Sequence, residues 1–344
     1  MNVLTDFLDT KKQNNIDLLR AIAVSAVFIH HAQHVFGGAF PFFGTYGGEF
    51  GVQLFFVISG YLIAASWEKS AWQDYMIHRV CRILPAYLFF MVTVGVVSKS
   101  ITLEKIQAHP LEFILNMVMM QHLSPSALAQ FDTLHVTWTL TIEVLWYVTA
   151  PLFIFLLTKH STLTLLGAIG ISSLWSFSAQ EGFLNFIYPS IHQPGSIYLF
   201  ISNHFIAQLC FFVLGAWFYK SKQKFDNANP LAFLLLGLTV FLLRPYYAVF
   251  NPIFISGLGL LCFLIAAVFL PSIKNRIVYF LSTTSYSIYL IHFPILMWVG
   301  NKLKIDGALG LAVSIGMILV VSGFSYVLVE KVGIQFSKKL SQKC

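Results

Sequence analysis

Charge is what this chain has least of. Asp, Glu, Lys and Arg make up 10% of its 344 residues, where a soluble domain carries about 25%. That shortage excludes an ordinary water-soluble fold. Cysteine is scarce as well: Cys81, Cys210, Cys262 and Cys344 form no C-x-x-C pair and no metal-type spacing. The first three lie in or beside apolar runs and read as small hydrophobic side chains. No Lys or Arg falls in the first ten residues. The basic start of a cleavable signal peptide is therefore missing, and the first apolar run is expected to persist as a full span. No internal repeat or low-complexity stretch is visible, which weakens a transporter built from repeats.

Apolar residues are what the chain has in plenty, at 57%. Runs long enough to span a bilayer predict an all-α, multi-pass membrane protein of about ten helices. They fall near 16–36, 50–67, 82–98, 138–158, 162–178, 200–219, 230–244, 252–271, 277–300 and 307–329. The run 111–122 is too short and reads as re-entrant or interfacial. With the N-terminus in the cytoplasm, Lys99, Lys105, Arg244, Lys302 and Lys304 fall outside, and the other sixteen of the 21 Lys and Arg residues fall inside. That asymmetry predicts both termini in the cytoplasm. It also accounts for the net charge of +7 without nucleic acid as a partner. A single membrane domain over 1–344, with its core near 14–335 and no appended soluble domain, is expected.

Against this apolar background a few ionisable residues stand out. Arg20 and His31 are eleven residues apart in the first span. At about 100° per residue they return to within roughly 20° of one helix face, about 16 Å apart along the axis. A cation then marks the membrane surface while an imidazole lies near mid-bilayer, a depth at which an ionisable group points to function. His30 and His34 could form an i, i+4 metal pair, but no nearby Asp, Glu or Cys completes one, so no metal is expected. Polar lining of a helix contact is the plainer alternative for these histidines.

Arg79 and Arg82 are three apart, hence neighbours on a helix, and share the cytoplasmic surface with Arg20. Plain positive-inside anchoring would account for them. Guanidinium forks also suit phosphates. Acyl-coenzyme A has the matching shape: a diphosphate head for the surface and a thin arm reaching inward to a thioester near His31. Glu143 lies about one and a half turns into the fourth span, where a carboxylate needs a partner or a wet cavity. It could pair with a histidine or arginine, or bind a substrate hydroxyl. His135 precedes it at the outer surface. His292 is a second intramembrane histidine, either functional or simply a satisfied interior residue. Glu330 could cap the arginine cluster or pair with Lys331. The glycines between Gly37 and Gly60 read mainly as packing residues.

Taken together these pieces resemble the membrane-bound acyltransferase-3 family. The resemblance rests on Arg20-x10-His31, Gly51-Val52-Gln53-Leu54-Phe55-Phe56-Val57-Ile58-Ser59-Gly60-Tyr61-Leu62-Ile63 and Arg79-x-x-Arg82 with Pro85. Further along it rests on Trp138 to Glu143 with Tyr147 and Pro151, on Tyr289-Leu290-x-His292-x-Pro294, and on Glu330 after the last span. Gln53 stands where the family often has an acid, Thr139 where it often has Ser, and no Pro follows soon after Glu330.

The resemblance implies a ten-span enzyme of the bacterial inner membrane. It would pass an acyl group, commonly acetyl, from cytoplasmic acyl-CoA to a hydroxyl of a surface polysaccharide or lipid-linked glycan such as lipopolysaccharide. His31 would be the catalytic histidine and Arg20, Arg79 and Arg82 the donor-binding arginines, with Glu143 a second catalytic candidate. No permanently bound cofactor is expected; acetyl-CoA is a substrate, and the glycan acceptor and membrane lipids are the partners. The rival from another class is a proton-coupled transporter or flippase of a glycan or small anion, run by a histidine–carboxylate relay. The arginine cluster speaks against it, because proton coupling does not need one.

Overall fold

The computed structural model describes residues 13–187, 200–201, 203–243 and 252–341. Lys11, Lys12, Arg244, Lys343 and Cys344 of the sequence reading lie outside the described residues. Every regular element among the described residues is helical. The principal helices are α1 (Asn15–Phe36), α2 (Phe43–Trp67), α3 (Trp72–Val97), α4 (Trp138–Lys159), α5 (Ser161–Gln180) and α6 (Phe205–Ser221). They continue with α7 (Pro230–Leu243), α8 (Pro252–Phe269), α9 (Arg276–Thr283), α10 (Ser285–Met297), α11 (Gly307–Ser325) and α12 (Lys331–Ser341). Short helices over Leu103–Ala108, Pro110–Met117 and Pro125–Phe131 link α3 to α4.

Among the described residues, five helices are long and apolar enough to cross a membrane: α2, α3, α4, α5 and the continuous run Gly307–Ser341. They coincide with five of the ten expected spans. Pro230–Leu243 and Ser256–Phe269 are apolar but shorter. At 22 residues α1 has the length of a span, but Arg20, His30, His31 and His34 dilute its apolar surface.

Local chemistry sets the helix ends. The Asn14 side chain accepts from the backbone N–H groups of Ile16 and Asp17, and Asp17 accepts from the Asn14 N–H, a reciprocal cap that starts α1. Gly37, at φ 73°, ends it in a backbone conformation that side chains disfavour. The expected span 277–300 is not one helix. It breaks at Thr284, where the Thr284 hydroxyl donates to the Phe280 carbonyl at 2.7 Å within the hydroxyl-rich run 282–285. Side chains of this type compete with the helical ladder.

The chain forms two compact units. The first comprises Met1–Val52, Ala71–Thr141 and Ile273–Cys344. In it α1 packs on α9, α10 and α11, and α12 lies along α3. Glycine permits the start of α2 to approach α1: a Cβ at Gly47 would lie 2.4 Å from the Ala26 carbonyl oxygen, and one at Gly51 2.3 Å from that of Ala23. Both glycines thus serve packing, the role expected for this stretch from the sequence. The second unit comprises Gln53–Ser70 and Ile142–Ser272. Its centre is α6, which packs on α5 and α8. Phe212 of α6 stacks on Phe56 at 4.5 Å and on Trp146 at 5.0 Å. Cys210 and Cys262 are buried free thiols in this core.

Candidate active site

The first unit holds His31, Arg20, Arg79 and Arg82. The unbroken α1 carries Arg20 and His31, so their helical spacing follows from the backbone. The half-buried imidazole of His31 is enclosed by three rings. Those of His292 and Phe293 each lie 5.0 Å from it and that of His30 lies at 5.2 Å, centroid to centroid.

Polar contacts fix the protons. His292 Nδ1 lies 2.7 Å from the Tyr289 carbonyl oxygen. A carbonyl only accepts, so this nitrogen carries hydrogen, and in the neutral ring Nε2 is an acceptor. That Nε2 lies 3.0 Å from His31 Nδ1, which also lies 3.0 Å from the Val27 carbonyl oxygen. With acceptors on both sides, His31 Nδ1 is the donor. The remaining nitrogen of His31, Nε2, keeps its lone pair.

Two of the three arginines, Arg20 and Arg82, act on one carboxylate, that of Glu330. Arg20 Nη2 donates to the Ser285 hydroxyl at 2.9 Å, and Nη1 lies 4.0 Å from Asp17. Asp17 in turn accepts from the Ser282 hydroxyl at 2.7 Å. Glu330, only 4% exposed, ends a π-helical turn over Tyr326–Glu330, the kind of wide turn that often marks functional sites. Its carboxylate accepts from the Ser287 hydroxyl, and its charged neighbours are Arg82 and Arg20. The guanidinium carbon of Arg79 lies 5.6 Å from the centre of the Tyr75 ring, and the Tyr286 hydroxyl donates to the Ile83 carbonyl at 2.9 Å beside Arg82.

Toward the other end of this unit, His135 has φ 60°, and its backbone N–H donates to Asp132 at 3.0 Å. Burial pushes the Asp132 carboxyl above the usual carboxylate range, against the Thr137 hydroxyl bond that favours its charge. The Thr139 hydroxyl meets the Tyr289 hydroxyl at 2.7 Å, so the departure from Ser leaves the hydroxyl contact in place.

Glu143 belongs to the second unit. Its Oε1 accepts from Tyr147 at 2.6 Å, one turn along α4, and from Ser59 of α2 at 3.1 Å. Two neutral hydroxyls hold this carboxylate. Sequence reasoning quoted Tyr147 without assigning it this role, although the i, i+4 spacing is a usable signal. It missed Ser285 and Ser287 altogether, for short hydroxyl side chains leave no mark in a periodicity. Among the described residues no group of three or more His, Cys, Asp or Glu side chains could hold a metal ion.

An all-helical architecture with membrane-length apolar helices, and a half-buried imidazole on the helix that also carries Arg20, suits acyl or phosphoryl chemistry at a bilayer. Sequence comparison defines which. The family model described as "Acyltransferase domain" matches residues 13–329, and the chain belongs to this acyltransferase-3 family. A Staphylococcus aureus (strain COL) protein named "Putative O-acetyltransferase" is 27% identical over 372 residues, covering 96% of this chain and 59% of that protein. Peptidoglycan O-acetyltransferase OatA of Listeria monocytogenes is 27% identical over 335 residues, covering 85% of this chain and 50% of that protein. The chain therefore spans between half and three fifths of the length of these relatives. No solved structure matches it significantly.

Proposed function

We propose that this protein is a multi-pass O-acyltransferase of the bacterial inner membrane, with about ten spans, both termini in the cytoplasm and one membrane domain. It takes an acyl group, acetyl in the simplest case, from cytoplasmic acyl-CoA and esterifies a hydroxyl of a surface polysaccharide or lipid-linked glycan. Peptidoglycan, which the Listeria relative's name gives as that protein's substrate, is of the same extracytoplasmic glycan class.

The observation that carries this reading is the state of His31: a histidine whose Nδ1–H is engaged and whose Nε2 lone pair is left for chemistry. In the general-base route, Nε2 takes the proton of the acceptor hydroxyl as its oxygen attacks the thioester carbonyl. The C–S bond breaks and the departing CoA thiolate recovers that proton, giving ester and free thiol. In the nucleophilic route, Nε2 attacks the thioester carbonyl and the C–S bond breaks to release the CoA thiolate; the acceptor hydroxyl oxygen then attacks the acyl-imidazolium, the C–N bond breaks, and the hydroxyl proton ends on the thiolate, giving ester, free thiol and neutral His31. Arg20, Arg79 and Arg82 bind the phosphates of the donor, where planar forks suit phosphate oxygens. Glu143 is the second catalytic residue and orients the acceptor hydroxyl.

Purified protein incubated with acetyl-CoA and a membrane glycan fraction tests the proposal. Release of CoA thiol matched by ester formation on the glycan supports it. Proton-coupled glycan uptake without thiol release would replace it with the transporter reading.

A further inference from the structure

We infer that His292 is a positioning residue for the reaction: it holds His31 in the Nδ1–H tautomer and, as hydrogen-bond acceptor, stabilises the charge that His31 gains when Nε2 takes a proton or an acyl group. The inference rests on the function proposed above and adds to it a residue with a defined task.

His292 is 1% exposed and lies four residues beyond Ile288 on α10, inside the first unit. A polar ring buried this far must spend both nitrogens on partners, or it costs stability. One nitrogen is satisfied within its own helix, because Nδ1 donates to Tyr289 at 2.7 Å. A purely structural histidine would need no more than another backbone partner for Nε2. Instead Nε2 points at a single atom 261 positions away in the chain, His31 Nδ1, at 3.0 Å. The two rings are tilted by 50° with centroids 5.0 Å apart, so they meet edge to edge through nitrogen and are not stacked.

The direction of this bond decides what it does. A neutral histidine has one N–H and one lone pair, and the partner of one nitrogen selects the role of the other. The carbonyl of Tyr289 takes the His292 proton at Nδ1, so Nε2 offers a lone pair. That lone pair, with the Val27 carbonyl beside it, demands hydrogen on His31 Nδ1. The free base nitrogen of His31 is then Nε2 and not Nδ1. Protonation or acylation at Nε2 makes the ring cationic, and its Nδ1–H becomes a stronger donor to His292. A hydrogen bond to a charged group is worth roughly twice a neutral one, so the contact strengthens as the reaction proceeds. Interactions that grow toward the transition state raise the rate of the step itself. The chain of donors ends at the Tyr289 carbonyl, which cannot take up a proton. His292 therefore stabilises charge and does not conduct protons away.

The test combines a wild-type spectrum with two variants. Detergent-solubilised protein labelled with [15N]histidine should show a nitrogen–nitrogen scalar coupling across the hydrogen bond, with the proton on His31 Nδ1; the His31→Gln variant assigns the signals. His292→Phe keeps the ring volume and removes the lone pair, and should lower kcat on the order of 10²-fold with KM for acetyl-CoA unchanged. His292→Gln can present its amide oxygen near the position of Nε2 and should recover much of the loss. Absence of the coupling in wild type, a proton on His292 Nε2, full activity in His292→Phe, or equal loss in both variants would each overturn the inference. An active His31→Ala variant would instead refute the proposed function itself, whereas an inactive His31→Ala alongside a fully active His292→Phe would remove only the role given to His292.

Discussion

The hydroxyl of Ser285 accepts from Arg20 Nη2 at 2.9 Å and joins positions 265 apart in the chain. The bond anchors one face of a planar cation by its edge. A guanidinium is planar with five N–H donors, so this contact, with Asp17 4.0 Å from Nη1, sets its plane. Arg20 and Arg82 are both charged neighbours of Glu330, so the carboxylate offsets part of their mutual repulsion. If the arginines bind the donor phosphates as proposed, side chains held this way lower the ordering cost of binding.

Replacing Arg79 and Arg82 together with Lys keeps the charge and removes the planar fork. Acetyl-CoA affinity should fall by about tenfold, the equivalent of about 1.4 kcal/mol, with expression and membrane insertion unchanged. Calorimetric titration of the purified variant measures it. An unaltered Kd would reduce these residues to topological anchors.

Glu330→Ala removes the carboxylate that faces Arg82 and Arg20 and accepts from Ser287. The two arginines left behind are half-buried and Arg20 keeps Asp17 nearby, so the cost falls below that of a fully buried unpaired charge, to about 1–2 kcal/mol. The Tm in detergent should drop clearly, and drop less in Glu330→Gln, which preserves an acceptor for Ser287. A Glu330→Ala protein that melts with wild type would show the contact to be incidental.

Glu143→Gln should slow transfer at least tenfold, a modest share of what a positioned acid–base group supplies, while acetyl-CoA binding stays as it was. Tyr147→Phe removes the 2.6 Å donor to the same carboxylate and should have a smaller effect in the same direction. Esterification rates at saturating donor separate the two. Wild-type rates in Glu143→Gln would remove this residue from the mechanism.

Two glycines hold the second unit together by their lack of a side chain. A Cβ at Gly60 would lie 2.0 Å from the Phe212 carbonyl oxygen, and one at Gly215 1.9 Å from that of Val57. Backbone cannot step aside cheaply, so Gly60→Ala and Gly215→Ala should each cost roughly 1–3 kcal/mol. Gly167→Ala, with nothing within 4 Å of the added carbon, should be neutral or slightly stabilising, since Ala is the better helix former. Thermal melts of the three variants, compared in one detergent, would contradict the packing account if they coincided.

How far the fold was legible depends on how local the cause was. The start of α1 at Asn15 is written in Asn14 and Asp17, and its end in Gly37. The predicted run 16–36 therefore falls within a residue of the observed helix. The facing of Arg20 and His31 is likewise a property of one helix and needs no tertiary information. The break at Thr284 was missed because hydropathy averages over the small polar run that causes it. The start of α3 at Trp72, well before the predicted 82, was missed for a related reason: Arg79 and Arg82 interrupt the apolar run without interrupting the helix. The contacts that define the candidate site were the least legible. Nothing in the spacing of residues 31 and 292, or of 287 and 330, states which faces of which helices meet. That register is set by the packing of α1, α10 and α11, and only the assembled structure shows it.

His31 carries the proposed chemistry, and one comparison tests its role most directly. Wild-type and His31→Ala proteins, matched for amount in proteoliposomes, would be given radiolabelled acetyl-CoA and a glycan acceptor. Wild type should place label on the glycan as an ester, and His31→Ala should place none while still binding acetyl-CoA at its arginines. Equal labelling by the two proteins would contradict the mechanism at its centre.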